Sequence, residues 1–303
     1  MSAAAGYASR AYAESLSEFG EVIELPRAGG FLLGQAIPGA AGQDAVGPYP
    51  LLACRDWNEL SGDLAALAQR FICVYGVTDS FAEASPELLA ATFPDVCYVY
   101  KQHFATDLSR PLDEIVDSHH RRNIRKGLRN VEVRNVVPDD AAALQAWQGL
   151  YDCLIERHGI QGIARFSPTS FAKQFAVPGF QAFAAVDAEG ICGMTLWYVD
   201  RGVAYYHLGA YNERGYGLAA SFAIFSTALQ QFAEQGVRWA ALGAGAGTSA
   251  SDSGLTRFKQ GWSTETRPVY LCGRILQHDA HERLAATAPV GTKFFPAYRA
   301  PRA

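Results

Sequence analysis

The sequence has no apolar run of membrane-spanning length. Its longest apolar stretch, around Ala219–Leu229, is broken by Ser221, Ser226 and Thr227, well short of the roughly 20 residues that a spanning helix needs. The first fifteen residues carry neither a basic n-region nor an apolar h-region. No secretory leader is expected, and the expected compartment is the cytoplasm. None of the six cysteines stands in a C-x-x-C pair, which points to free buried thiols rather than a disulfide framework. None of the seven histidines has H-E-x-x-H or similar ligand spacing, so no metal is expected.

What is present is the composition of a folded chain. AVILMFWYC make up 49% of 303 residues and DEKR 18%, which excludes disordered, collagen-like and coiled-coil classes. The length is a prior for two domains. The net charge of −4 hides an asymmetry: 6 Lys/Arg against 16 Asp/Glu up to Ser118, then 20 against 14 from His119 onward. The first part is therefore at −10 and the rest at +6, so an anionic ligand is expected in the second part.

The second half is the more legible. Val131–Val137 reads as a strand ended by Pro138, and Asp139 or Asp140 caps the helix that follows. Leu144, Trp147, Tyr151 and Leu154 step by 3, 4 and 3 along one face of that helix, and Gly159 is placed to stop it. A short helix follows Ser167-Pro168. Gln181–Asp187, Ile191–Val199 and Val203–Tyr211 read as three antiparallel strands, joined by short connections ending in Gly190 and Gly202. Leu218, Phe222, Phe225, Leu229 and Phe232 mark an amphipathic helix over about Tyr216–Gln235, stopped by Gly236. A strand over Val237–Leu242, a loop over Gly243–Ser253, a short helix over Gly254–Gln260 and a strand over Pro268–Ile275 complete the order. The tail, with Pro289, Pro296 and Pro301, reads as irregular.

The resulting β-α-α-β-β-β-α-β-α-β order implies a mixed sheet, of α/β or α+β type. In the first half, Val22–Ile37 reads as a hairpin around Ala28-Gly29-Gly30. Asp56–Gln69 reads as a helix, Phe71–Gly76 as a strand, Glu87–Ala91 as a short helix and Val96–Tyr100 as a strand. This half is compatible with a degenerate copy of the same unit, without sequence self-similarity strong enough to prove a repeat.

Three local patterns carry chemistry. Asn212-Glu213-Arg214-Gly215-Tyr216-Gly217-Leu218-Ala219 follows a strand and opens a helix. Bare backbone N–H groups at such a junction favour an anion, and Arg214 can add a charge-assisted bond to a phosphate. A tight turn that merely contains glycine is the plainer alternative. The second pattern ends a short helix in Phe258-Lys259. Lys259 can hold a phosphate or carboxylate or stabilise an oxyanion, unless it is a solvated charge at a helix end. The third is His119-His120-Arg121-Arg122-Asn123-Ile124-Arg125-Lys126, on a helix whose first turn is expected to carry Pro111. Arg121 and Arg125 lie one turn apart, as do Arg122 and Lys126. That stripe suits phosphates of a nucleotide, coenzyme or tRNA, or equally a solvated face. Gly243-Ala244-Gly245-Ala246-Gly247 also follows a strand but fails G-x-G-x-x-G, because Thr248 stands at the third glycine. A substrate-facing loop fits it better.

Arg214, Gly217 and Ala219 fit the pattern R-x-x-G-x-A, similar to the pyrophosphate signature of GNAT acyltransferases, which cradle coenzyme A at this junction. The chain as a whole resembles the FemAB-like branch of the GNAT superfamily, whose members carry tandem GNAT domains. The matching stretches are Asp44–Tyr49 with the next helix, His120–Lys126, Leu150–Gly159, and Gly254–Tyr270. The resemblance implies two tandem GNAT-like domains, the first degenerate: residues 1–128, ending in the basic helix, and residues 129–303. It implies transfer of an acyl or aminoacyl group to a small-molecule or peptide amine. An acyl-coenzyme A donor would rest on Arg214, Gly215, Gly217 and Ala219. An aminoacyl-tRNA donor would place Phe258 and Lys259 at the reaction centre and Arg121, Arg122 and Arg125 beside substrate. The chain lacks the long coiled-coil insertion of some tRNA-dependent members. A third reading is a catalytically silent GNAT fold that serves as a binding module.

Amine acylation needs a deprotonated nucleophile, a polarised carbonyl and a protonated leaving group. In the family the carbonyl bonds a backbone N–H on the strand before the phosphate loop, here Val203–Tyr211. His207 is the best base on that strand by residue type, unless it is a satisfied core histidine. Alternation puts it on one face with Tyr205 and not with Tyr206. Tyr205 or Tyr211 is the candidate acid, with Tyr211 also a substrate contact; Glu213 and Asp252 are reserves.

Overall fold

A computed structural model describes residues 4–245, 254–289 and 291–300. In chain order its helices and strands are α1 (Arg10–Ser15), β1 (Glu21–Leu25), β2 (Gly30–Ala36), β3 (Gln43–Val46), α2 (Leu60–Ala66), β4 (Cys73–Val77), α3 (Pro86–Thr92) and β5 (Val96–Asp107). There follow α4 (Leu112–Ile115), α5 (Ser118–Asn130), β6 (Glu132–Val136), α6 (Ala141–His158), α7 (Pro168–Phe175), β7 (Phe180–Asp187), β8 (Gly190–Asp200) and β9 (Val203–Tyr211). The chain closes with α8 (Glu213–Gly217), α9 (Ala220–Glu234), β10 (Trp239–Gly243), α10 (Gly254–Gln260), β11 (Glu265–Ile275) and α11 (His278–Ala285).

The contacts divide the chain into two compact units. One is Tyr7–Lys101 with the segment from Pro268; the other is essentially Gln102–Arg267. In the second unit, β6, β7, β8 and β9 form an antiparallel meander. β10 then pairs parallel to β9 after the α8–α9 crossover, and β5 pairs antiparallel to β10. In the first unit, β1, β2 and β3 are antiparallel, β4 pairs parallel to β3 after α2, and β11 pairs antiparallel to β4. The two orders are the same: three antiparallel strands, a crossover helix, a parallel strand, and a last antiparallel strand. The architecture is two tandem GNAT-like units of mixed α/β type; ahead of its three antiparallel strands the first has the short helix α1, where the second has β6, α6 and α7.

The last strand of each repeat lies away from its own sequence half. β5 follows the first repeat in the chain yet closes the sheet of the second, and β11 does the reverse. The units therefore do not divide at 128/129. Helix α5, at the end of the 1–128 segment, belongs to the second unit and packs on α9.

Local chemistry explains the elements of the second unit. Asp140 caps α6 by accepting from Ala143 N–H at 2.9 Å, and Gly159 ends it in the left-handed region at φ 60°. Ser167 caps α7, with Pro168 in its first turn. The helix expected over about 216–235 is two helices. Ala219 sits at φ 60°, an uncommon conformation for a residue with a Cβ, and breaks α8 from α9. The buried face of α9 contains Ala220, Ala223, Ile224, Phe225, Ala228, Leu229 and Phe232, and with Trp197, Phe183 and Trp262 it forms the core of this unit. Pro111 does not open the basic helix. It caps the single turn α4, and Asp117 starts α5 separately. In the tail, α11 is helical where the prolines suggested irregular chain.

Candidate active site

β9 and β10 pair over only three residues, Val203–Tyr205 with Trp239–Ala241. β9 then runs on to Tyr211 while β10 ends at Gly243. A cavity of about 1670 Å³ opens where the strands part. Its walls come from β9 (Tyr206 to Gly209, and Tyr211), the first turn of α5, the last turn of α6, the start of α9, and α10. Arg157, Arg257 and Lys259 line it against one carboxylate, Asp117. This basic lining matches the charge asymmetry of the sequence and suits an anionic ligand. Residues 246–253 of the glycine loop, Asp252 among them, lie outside the described residues.

Lys259 is at the centre. It is only 7% exposed. Its ammonium donates to the Ala244 carbonyl at 2.7 Å and lies 5.4 Å from the ring centroid of Tyr206. A buried ammonium needs such partners, and the aromatic face adds cation–π attraction. Tyr206 was not singled out by the sequence. Its ring packs on Trp197 and Phe225, and its hydroxyl lies over Gly209, where a Cβ would stand 2.2 Å from it. Burial raises its pKa, so the hydroxyl keeps its proton.

His207 does not follow simple alternation. The β8–β9 register slips between Leu196 and Trp197, and His207 is the extra residue of a β-bulge. In consequence both Tyr206 and His207 reach the cavity, whereas Tyr205, paired between Tyr198 and Ala241, does not line it. His207 is buried against Phe166 and Tyr198, with Nε2 3.1 Å from the Gln174 Oε1. Since that oxygen only accepts, Nε2 is the donor. Burial pushes the His207 pKa down to about 3, a poor basicity for a general base. Tyr211 lines the cavity, and its buried hydroxyl has no hydrogen-bond partner among the described residues. Burial raises its pKa well above the usual phenol value, which makes it a hydrogen-bond donor rather than a proton source.

The glycine turn is differently engaged than expected. Arg214 grips Asp187 through two bonds, Nε at 2.7 Å and Nη2 at 3.1 Å, and reaches Glu189 at 3.0 Å. The hydrogen bond from Arg214 holds the Asp187 carboxyl below its usual range. The turn's N–H groups are also occupied. Asn212 caps Gly215, Tyr216 N–H donates to Asn212 O, Leu218 N–H to Arg214 O, and Ala219 N–H to Tyr216 O. Gly215 is there for close approach, since a Cβ would sit 2.2 Å from the Cys192 carbonyl. Gly217 is packed against nothing, and its carbonyl accepts from Lys126 at 2.9 Å. Among Arg214, Gly215, Gly217 and Ala219, none lines the main cavity.

On α5, Arg121, Arg122 and Arg125 are on the exposed face and outside the cavity. Arg121 donates to the Asp113 carbonyl at 3.0 Å. The residue that α5 turns inward is His120, 3% exposed. Its partners are Asp117 Oδ1, 3.1 Å from Nδ1, and the Phe258 carbonyl, 3.0 Å from Nε2. Its sequence signal is a histidine three residues after a helix-capping aspartate. Phe258 packs its ring on Phe222 and Phe225 and anchors α10 to α9.

Residues 118–260 match the acetyltransferase (GNAT) domain family. The fold is that of a solved FemX, with a TM-score of 0.66 at 14% identity over 91% of this chain and 93% of that one. It is also similar to the C-terminal domain of a putative lysylphosphatidylglycerol synthetase from Agrobacterium fabrum, with a TM-score of 0.63 at 15% identity over 91% and 89%. The L-PGS structure from Bacillus licheniformis gives a TM-score of 0.57 at 14% identity over 90% and 94%. No curated protein matches by sequence. The domain match over residues 118–260 and the fold shared with FemX agree with the resemblance to the FemAB-like branch of the GNAT superfamily. Among the described residues no helix is long and apolar enough to cross a membrane.

Proposed function

We propose that Gln102–Arg267 is the transferring unit, and that it moves an activated acyl group from an anionic donor to an amine in the cavity where β9 and β10 part. The observation that carries this reading is Lys259, a nearly buried cation held at that opening by Ala244 O and the Tyr206 ring. A pre-positioned cation in a site shielded from water stabilises charge that develops on the carbonyl or on the leaving oxygen. Backbone donors support the same place. Asn212 N–H bonds Cys192 O on β8 at 3.2 Å, so alternation turns the N–H groups of Gly209 and Tyr211 the other way, toward the gap. There they meet a carbonyl oxygen as it becomes an oxyanion. Lys259 and the protonated Tyr206 and Tyr211 hydroxyls supply the remaining donors. The amine loses its proton to solvent or to a substrate group rather than to His207.

Of the two donors, we favour the 3′ end of an aminoacyl-tRNA. The turn that would cradle a coenzyme A pyrophosphate has its Arg214 and the N–H groups of Gly215, Tyr216, Leu218 and Ala219 already bonded within the protein. The basic outer face of α5, with Arg121, Arg122 and Arg125, starts at the cavity rim, where a longer polyanion would leave it. The acyl-coenzyme A reading retains support from the R-x-x-G-x-A spacing and the acetyltransferase domain match. The acceptor is a small-molecule or peptide amine, and we place the reaction in the cytoplasm, where both donors are found.

The test is transfer of label to a panel of amines from acyl-coenzyme A and from aminoacyl-tRNA, in wild type and Lys259→Ala. Transfer from either donor that drops at least ~100-fold in Lys259→Ala supports the site. Full activity of that variant refutes the role of Lys259, and transfer from coenzyme A thioesters alone reverses the choice of donor.

A further inference from the structure

We infer that His120 is a positioning residue: its imidazole fixes the peptide unit between Phe258 and Lys259, and so aims the Lys259 ammonium at the opening between β9 and β10. The argument starts at the end of α10, a seven-residue helix whose last carbonyls have no intrahelical partner. Gly261 N–H returns to Arg257 O at 3.1 Å, an ordinary i to i−4 bond. The next bond is tightened: Trp262 N–H goes to Lys259 O at 3.1 Å, and Ser263 N–H to Gln260 O at 3.1 Å. The Phe258 carbonyl, the normal target of Trp262 N–H, is skipped. His120 Nε2 takes it at 3.0 Å from a different helix.

A carbonyl oxygen can only accept, so Nε2 carries the proton. That carbonyl and the Lys259 N–H belong to one planar peptide. Holding the oxygen therefore sets the plane that precedes the Lys259 Cα, and with it the direction in which the side chain leaves the helix. The ring is itself held. Asp117 Oδ1 stands 3.1 Å from Nδ1 and also accepts the His120 backbone N–H at 2.7 Å, so one carboxylate caps α5 and orients the imidazole. Phe222 and Trp262 press on the ring edge-to-face at centroid distances of 5.1 and 5.3 Å. Gly261 leaves room for it, since a Cβ there would lie 2.0 Å from Cε1. Both ring nitrogens are engaged in these contacts. Its chain of contacts, Asp117–His120–Phe258, ties the basic helix to the helix that carries Lys259.

This role rests on the proposed transfer reaction only where turnover is measured, so the experiment has a readout that does not need turnover. Trace labelling with acetic anhydride, followed by peptide mass spectrometry, measures the reactivity of Lys259 relative to the exposed Lys126 in the full chain. Gln places its amide nitrogen where Nε2 stands, whereas Asn reaches only the position of Nδ1. In His120→Ala and His120→Asn, Lys259 is expected to label at least ~10-fold faster than in wild type as α10 loses its anchor, and in His120→Gln it is expected to label as in wild type. Where transfer is detectable, kcat falls in the Ala and Asn variants, returns in the Gln variant, and the donor KM stays constant. Unchanged labelling of Lys259 in both His120→Ala and His120→Asn overturns the inference, as does equal labelling in His120→Asn and His120→Gln. If labelling follows the expected order but wild type transfers nothing from either donor, the transfer reaction fails and the positioning of Lys259 stands. Should His120→Ala not fold, the Asn and Gln pair decides alone.

Discussion

His207 separates a buried structural histidine from a catalytic base, and its protonation makes the distinction measurable. In the unfolded chain its pKa is near 6.5, and in the folded protein burial pushes it down to about 3. A folded pKa below the unfolded one means that the unfolded chain takes up the proton first. Stability from this group is complete above pH 6.5 and falls as pH drops from 6.5 toward 3. Each pH unit inside that window removes about 1.4 kcal/mol, so between pH 7 and pH 5 the loss is about 2 kcal/mol. The other histidines titrate too, but they do so equally in a variant that lacks only this one. The measurement is urea unfolding at pH 7, 6 and 5 in wild type and in His207→Gln, whose amide can still face Gln174. Wild type should lose about 2 kcal/mol more than the variant across that range, with the same m-value. Equal pH slopes in the two proteins would refute the burial argument. They would also reopen general-base catalysis, because His207 would then titrate near neutrality. The kinetic counterpart is a pH–rate profile for transfer without an acid limb attributable to His207 above pH 5.

Two further outcomes follow from the geometry. Arg214→Ala should lower the urea midpoint, because it frees Asp187 and Glu189, and should leave coenzyme A affinity within twofold of wild type by calorimetry; a loss of affinity of ~10-fold with an unchanged midpoint would return Arg214 to a phosphate-binding role. In the first unit, the fully buried Asp44 accepts from Arg299 Nε at 2.6 Å and from the Tyr298 hydroxyl at 2.8 Å. Arg299→Ala should therefore cost about 3 kcal/mol by leaving that carboxylate short of its countercharge, and an unfolding midpoint equal to that of wild type would refute the account.

Much of the fold was legible because its signals are local. The three hairpin strands β7, β8 and β9, the Asp140 and Ser167 caps and the Gly159 stop each depend on residues within a few positions of one another. What the sequence could not show depends on partners far along the chain. The repeat is plain in strand order, but a repeat kept in topology need leave no periodic residues. Exchange of the last strands, β5 and β11, moves the unit boundary away from 128/129, and no local pattern records which sheet a strand joins.

The site obeys the same division. Phe258 and Lys259 are legible from a short helical pattern, and the cavity gathers both. Alternation puts Tyr206 and His207 on opposite faces, a rule that holds only while the register holds, and one bulged residue ends it. Arg214 carried the expected pattern, yet two carboxylates on the β7–β8 turn claim it. His120 shows the limit most directly. Its i−3 partner Asp117 is readable from helix periodicity, but the carbonyl of Phe258 lies 138 residues on, and only the skipped bond at the end of α10 makes that carbonyl available. A residue that acts through another element's unsatisfied backbone is therefore found by accounting for hydrogen bonds in the fold, not by spacing in the chain.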